Sequence, residues 1–72
     1  MRRCSLVYKL KDDYIELFKL LKVLDLVDSG AEAKMIVAEG HVNRNSQVET
    51  RKRAKIVSGD IINVADVTIE VL

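Results

Sequence analysis

The densest positive charge in this chain lies in the basic segment, residues 51–55, where four of five side chains are cationic (Arg51-Lys52-Arg53-Ala54-Lys55). Like charges held this close repel one another, so the protein gives up stability to keep them together. Such a cluster suits a polyanion, because neutralising phosphates releases counterions and drives binding. Arginine also offers a planar fork that fits phosphate oxygens and stacks on bases. Taken alone, the segment is equally consistent with a phosphate-binding surface and with a solvated loop.

Charge is segregated along the whole sequence. The 72 residues carry a formal net charge of +1. Residues 41–58 contain five Lys/Arg and one Asp/Glu, whereas residues 59–72 contain three Asp/Glu and no Lys/Arg. Folding can turn this segregation into one basic face, on which lysine and arginine contact phosphates and asparagine bonds a sugar or base edge. We predict that this face contains Lys34, His41, Asn43, Arg44, Arg51, Lys52, Arg53 and Lys55.

Residue types that perform catalysis or bind metals do not occur in a recognisable arrangement. The sequence has no Ser-His-Asp ordering, no phosphate-binding glycine loop and no metal-ligand spacing. His41 is the single histidine, and the single cysteine, Cys4, excludes an internal disulfide and a cysteine-based zinc site. Asp12 and Asp13 are adjacent carboxylates, but helix capping explains them. We expect a non-enzymatic protein with no cofactor and no bound metal.

The first element that must position the basic segment is a predicted helix. It is expected to begin at Asp13-x-x-Glu16, which resembles a capping box. Apolar residues then recur at three- and four-residue steps, which predicts one buried stripe. The stripe is Tyr14, Leu17, Phe18, Leu21 and Leu24, widened by Ile15, Leu20, Val23 and Leu26. Tyr14 and Phe18 are therefore expected to pack in the core and not to stack on bases.

A second helix is predicted directly after the first. Ser29-x-x-Glu32 forms another capping box, and Gly40 supplies the left-handed residue that commonly ends a helix. Three residues are predicted to face the core: Ala33, Ile36 and Val37.

The remaining elements are predicted strands, recognised by alternation of apolar and polar residues. One covers residues 4–10, and the others follow Gly40, separated by turns at Asn45-Ser46, Ser58-Gly59-Asp60 and Asp66. The sequence thus predicts one α+β domain, residues 1–72. In it, a two-helix helix-turn-helix-like unit packs on a small, mostly antiparallel sheet.

The sequence also bears on the location of the protein in the cell. No apolar run is long enough to span a membrane. The first ten residues lack the core of a signal peptide, because Lys9 and Lys11 interrupt the apolar run. We expect a monomer in the cytoplasm that does not bind membranes.

Residues 29–60 resemble the S4 domain, the RNA-binding module of small-subunit ribosomal protein S4 that is also called the alpha-L motif. The likeness rests on these matching residues: Ser29, Glu32-Ala33-Lys34, Ile36, Glu39-Gly40-His41-Val42-Asn43, Val48 and Val57-Ser58-Gly59-Asp60-Ile61-Ile62. The pattern VETRKR-x-KI, which starts at Val48, resembles the small stand-alone YbcJ-like branch of that family. The resemblance implies a basic face that holds structured RNA of the ribosomal or transfer RNA class.

Two other functions remain open at this point. The basic segment could dock an acidic protein, which would make the chain a protein-interaction adaptor. It could also bind DNA without sequence preference, because phosphate contacts alone do not distinguish the two nucleic acids.

Overall fold

The computed structural model describes residues 4–72, so the first three residues of the predicted domain lie outside the described part. The elements are β1 (Cys4–Tyr8), β2 (Ile15–Glu16), α1 (Leu17–Val23), α2 (Gly30–Ala38), β3 (Val42–Arg44), β4 (Gln47–Val48), β5 (Lys55–Ile56), β6 (Ile61–Val64) and β7 (Val67–Val71). Five strands form one sheet in the order β1-β7-β6-β3-β4, in which only the β1–β7 pair is parallel. The remaining two strands, β2 and β5, form a separate antiparallel ribbon. The predicted α+β class, with two helices on a mostly antiparallel sheet, is confirmed.

The core lies between the helix pair and the main sheet. Leu17 and Leu21 of α1 and Val37 of α2 are completely buried, and Ile36 packs against them half-buried. The sheet and ribbon add their own buried residues, Val42, Ile56, Ile62, Ile69 and Val71. Helical spacing therefore predicted these four core positions correctly, because residues three and four apart share one face of a helix.

The start of α1 differs from the prediction. Asp13-x-x-Glu16 does not form a capping box: α1 begins at Leu17, and Glu16 makes no side-chain capping bond. Residues 15–16 instead pair with β5 as an extended strand. The long-range pairing of β2 with β5 thus prevails over the local capping signal. The amides of the first helical turn donate hydrogen bonds to backbone carbonyls elsewhere in the chain.

The apolar stripe of α1 is also narrower than predicted. Phe18 packs against the core as expected, but Tyr14 is 44% exposed and Val23 is 58% exposed. Tyr14 lies before both β2 and α1, so its spacing from Leu17 does not bring it to the buried face of the helix. The prediction that Tyr14 and Val23 belong to the core was wrong.

The second helix agrees with its sequence signals. The side chain of Ser29 accepts a hydrogen bond from the amide of Glu32 at 3.2 Å, which confirms the cap. Gly40 has a φ of 82°, the left-handed conformation expected where the helix ends.

Two turns determine where the later strands go. Asn45 and Ser46 both have positive φ, 52° and 71°, as a type I′ hairpin turn requires, so the predicted β3–β4 hairpin forms even with serine in the second position. The turn at Ser58-Gly59 does not pair the strands on either side of it. β5 pairs with β2, and β6 pairs with β3 and β7.

Candidate nucleic-acid interface

The backbone of the basic segment is anchored inward while its charges face solvent. The carbonyl of Ala54 accepts a hydrogen bond from the amide of Leu17 at 3.0 Å, and the carbonyl of Lys52 accepts one from the amide of Phe18 at 3.0 Å. These two bonds satisfy free amides at the start of α1, which has no side-chain cap. Ala54 is buried, whereas Arg51, Lys52, Arg53 and Lys55 are exposed. The basic segment therefore caps α1 and holds four cations out from the surface.

A buried carboxylate orients the first of these cations. Glu49 is only 8% exposed, and its two oxygens accept hydrogen bonds from Nε and Nη2 of Arg51 at 3.0 and 3.1 Å. The bond from the Arg51 side chain is the main reason that the pKa of Glu49 is lowered, despite its burial. The Arg51 side chain stays 75% exposed. Glu49 thus fixes the direction of Arg51 and offsets part of the repulsion within the segment.

Arg44 is tied to a second carboxylate, Asp60. Nε and Nη2 of Arg44 both donate to Oδ2 of Asp60, at 3.1 and 2.8 Å, and Nη2 also donates to the carbonyl of Lys55 at 2.8 Å. Its remaining nitrogen, Nη1, lies 3.6 Å from Oε1 of Glu49. All three nitrogens of Arg44 therefore face groups of the protein itself. Arg44 braces the basic segment against β3, and its predicted phosphate contact stays untested.

Asp60 also receives bonds from outside this pair. The amide of Val57 donates to Oδ2 at 2.9 Å, and the side-chain nitrogen of Asn45 donates to Oδ1 at 3.0 Å. Burial is the largest single influence on the pKa of Asp60 and raises it, but the hydrogen bonds from Val57, Asn45 and Arg44 together outweigh burial. The net pKa is lowered, so Asp60 is an anion at neutral pH.

A groove runs along the exposed side of the basic segment. It has a volume of about 410 Å³ and is lined by Arg44, Arg51, Arg53, Ala54 and Lys55. Four of its five lining residues carry positive charge, although the guanidinium of Arg44 is already bonded to Asp60, so the other three can attract an anionic ligand.

Two lysines from the helices lie beside the same segment. Nζ of Lys34 is 4.9 Å from the centroid of the Phe18 ring, and Nζ of Lys19 is 5.9 Å from it. The Phe18 amide in turn bonds the Lys52 carbonyl. Lys34 was predicted for the basic face, whereas Lys19 was not among the predicted contacts. Nothing in its own sequence neighbourhood identifies Lys19, because its place depends on where α1 begins.

The last two predicted contacts, His41 and Asn43, do not line the basic groove. His41 is exposed, and its Nε2 lies 3.5 Å from a carboxylate oxygen of Glu39. Asn43 follows the buried Val42 on β3 and lines a different concavity with Asn63, Ala65, Asp66 and Thr68. It is therefore on the side of the sheet opposite the helices. Arg51, Lys52, Arg53 and Lys55 are thus exposed on one segment, and Lys34 lies over the ring of Phe18, whose amide bonds that segment. Asn43 lines a different concavity.

Within residues 4–72, no three His, Cys, Asp or Glu side chains group in a way that could hold a metal ion. None of the helices in that range is both long and apolar enough to cross a membrane.

The chain is similar to known proteins over most of its length. A family model for the S4 domain matches residues 8–72. YbcJ of Escherichia coli (strain K12) is 44% identical over 62 residues, covering 86% of this chain and 89% of that protein, and YbcJ of Shigella flexneri gives the same values. The solution structure of YbcJ from Escherichia coli, described as revealing an alpha-L motif involved in RNA-binding, has a TM-score of 0.72 at 40% sequence identity and covers 100% of this chain and 95% of that chain. These matches confirm the predicted resemblance, and the chain belongs to the S4 domain family.

Proposed function

We propose that this chain is a non-enzymatic RNA-binding module that docks the basic segment on structured RNA. The observation that carries the proposal is the orientation of that segment. Its carbonyls bond α1 and its single buried side chain is Ala54, while four cations point to solvent. A solvated loop needs no such anchoring, since an exposed charge run can satisfy its backbone with water.

Arginine and lysine of the basic segment contact phosphates in this proposal, joined by Lys34 beside Phe18. Arg44 supports the basic segment and does not contact the RNA in this proposal, because its guanidinium is engaged with Asp60, Lys55 and Glu49. His41 and Asn43 would reach only an RNA that extends beyond the basic groove.

RNA is favoured over an acidic protein because of the relatives. The solved YbcJ structure is described as a motif involved in RNA-binding, and this chain aligns with it over its full length. We further propose a folded target of the ribosomal or transfer RNA class, bound by a monomer in the cytoplasm. A rigid cationic surface recognises A-form RNA mainly by its shape and backbone.

The test is a comparison of three anionic probes with the wild-type chain. Fluorescence anisotropy would follow binding to an RNA hairpin, to a DNA hairpin of the same sequence and to poly-glutamate, each over a salt series. The proposal expects the RNA hairpin to bind most tightly, with an affinity that falls steeply as salt rises. Equal affinity for RNA and DNA would indicate a nonspecific nucleic-acid binder. Preference for poly-glutamate would support the adaptor function.

A further inference from the structure

Tyr14 is an aromatic side chain that the core does not use. The chain has three aromatic residues, and the other two, Tyr8 and Phe18, pack against the core. Tyr14 is 44% exposed and is not part of that cluster. Among the exposed large hydrophobic side chains of residues 4–72, Tyr14 is the one aromatic ring, so its surface can stack on a planar ligand.

The β2–β5 ribbon places this ring beside a cation of the basic segment. Ile15 pairs with Ile56, which is completely buried, and these residues form the inner side of the ribbon. Alternation sends Tyr14 and Lys55 to the outer side. Nζ of Lys55 lies 5.0 Å from the centroid of the Tyr14 ring, within the range of a cation–π contact. The ring is thus held in place by its neighbour and remains accessible.

Lys55 also joins two neighbouring concavities. It lines the basic groove together with Arg51 and Arg53. The ring that it contacts lines a second concavity of about 420 Å³, together with Asp12, Ile15, Glu16 and Lys19. A strand of RNA whose phosphates follow the basic groove would therefore bring its next nucleotide to the edge of Tyr14.

We propose that Tyr14 is a stacking platform for one unpaired nucleobase of the bound RNA, while Lys55 holds an adjacent phosphate. The inference rests on the proposed function and adds to it a preference for RNA with a bulged or looped-out base. Bases inside an A-form duplex are stacked and their faces are covered, so an aromatic side chain can engage only a base that has left the stack. An exposed ring next to a cation combines the two interactions that bind single-stranded nucleotides.

The first test compares two RNA hairpins that differ by a single unpaired adenosine in the stem. Wild type should bind the bulged hairpin more tightly than the fully paired one. Tyr14→Ala should lose about tenfold in affinity for the bulged hairpin and little for the paired one. The reason is that stacking of one base on an aromatic ring raises affinity by about tenfold or more. Tyr14→Phe keeps the ring and should bind like wild type. A Tyr14→Ala loss that is equal on both hairpins, or absent from both, would overturn the inference.

A second test reports the stack directly. The chain has no tryptophan, so Tyr14→Trp introduces a single indole at the platform. Titration with the bulged hairpin should quench its fluorescence, and the paired hairpin should not. Val7→Trp, at a 60% exposed position on β1, is the matched control and should show no quenching by either RNA.

The outcomes separate the two proposals. If wild type binds both hairpins equally and Tyr14→Trp shows no selective quenching, the stacking platform is wrong and RNA binding stands. If wild type binds neither hairpin even at low salt, both proposals fail.

Discussion

The guanidinium of Arg44 and the carboxylate of Asp60 form a two-point contact, with Nε and Nη2 at 3.1 and 2.8 Å from the same oxygen, Oδ2. The pair is mostly buried, with 22% of the Arg44 side chain and 10% of the Asp60 side chain exposed. It joins β3 to the turn that precedes β6, and the same guanidinium bonds the carbonyl of Lys55. This contact links the shape of the basic segment to the stability of the sheet.

Removing the charge of Asp60 should destabilise the protein. Asp60→Asn keeps the size of the side chain but leaves Arg44 beside a neutral amide, so we expect the free energy of unfolding to fall by about 2 kcal/mol. Urea denaturation measures the change. Asp66→Asn, in the exposed turn before β7, is the matched control and should change stability little. Equal stability of the two variants would mean that the contact contributes nothing net.

Acid should weaken the fold through Asp60 and Glu49. Both have a pKa that is lower in the folded protein than their ordinary value. A lowered pKa means that folding favours the anion, so the stabilisation is present above the ordinary pKa and is lost as pH falls through the folded pKa. We expect stability to drop from about pH 4 downward. The double variant Glu49→Gln, Asp60→Asn should show a flatter dependence of unfolding free energy on pH, and a dependence as steep as that of wild type would contradict this.

Arg44 and Arg53 should affect different properties. Arg53→Gln removes an exposed cation, so the log–log slope of RNA affinity against salt should fall by about 0.7 to 0.9 with little change in stability. Arg44→Gln removes the brace of Asp60, so stability should fall by about 2 kcal/mol while the slope stays near that of wild type. Anisotropy titrations and urea melts on both variants provide the comparison. If Arg44→Gln changes the slope as much as Arg53→Gln does, Arg44 contacts phosphate after all.

Gly40 should be intolerant of a side chain because of its backbone. Its φ of 82° strains any residue with a Cβ, although the added atom would meet only Val48 Cγ1 at an ordinary 3.6 Å. Gly40→Ala should therefore cost about 1 kcal/mol. Gly30→Ala is the control: Gly30 begins α2 without a positive φ, and its added Cβ would lie 4.0 Å from Phe18. Denaturant melts should show no loss of stability for Gly30→Ala. An equal loss of stability in the two variants would mean that the positive φ of Gly40 is not the source of the strain.

Sequence reasoning succeeded where the signal is local. The Ser29 cap, the end of α2 at Gly40 and the buried face of Leu17 and Leu21 each depend on residues within about one or two helical turns. The exposure of the basic segment was also predictable, because burying unpaired cations is too costly.

Sequence reasoning failed where the structure of a residue depends on a partner that is distant in the sequence. The start of α1 depends on pairing of Ile15 with Ile56 and on carbonyls supplied by the basic segment. The role of Arg44 depends on Asp60, sixteen positions along the chain. The position of Tyr14 outside the core follows from the same ribbon, so one missed pairing explains several errors.

The most direct test of the central claim removes the four exposed cations of the basic segment together. Arg51→Gln, Lys52→Gln, Arg53→Gln, Lys55→Gln should reduce the log–log slope of RNA affinity against salt by about 3, at about 0.7 to 0.9 per lost phosphate contact. A control that changes the exposed Lys9, Lys11 and Lys22 to glutamine should keep the wild-type slope. A thermal melt would establish that each variant is folded. A folded four-site variant with an unchanged slope would contradict the claim that the basic segment binds RNA.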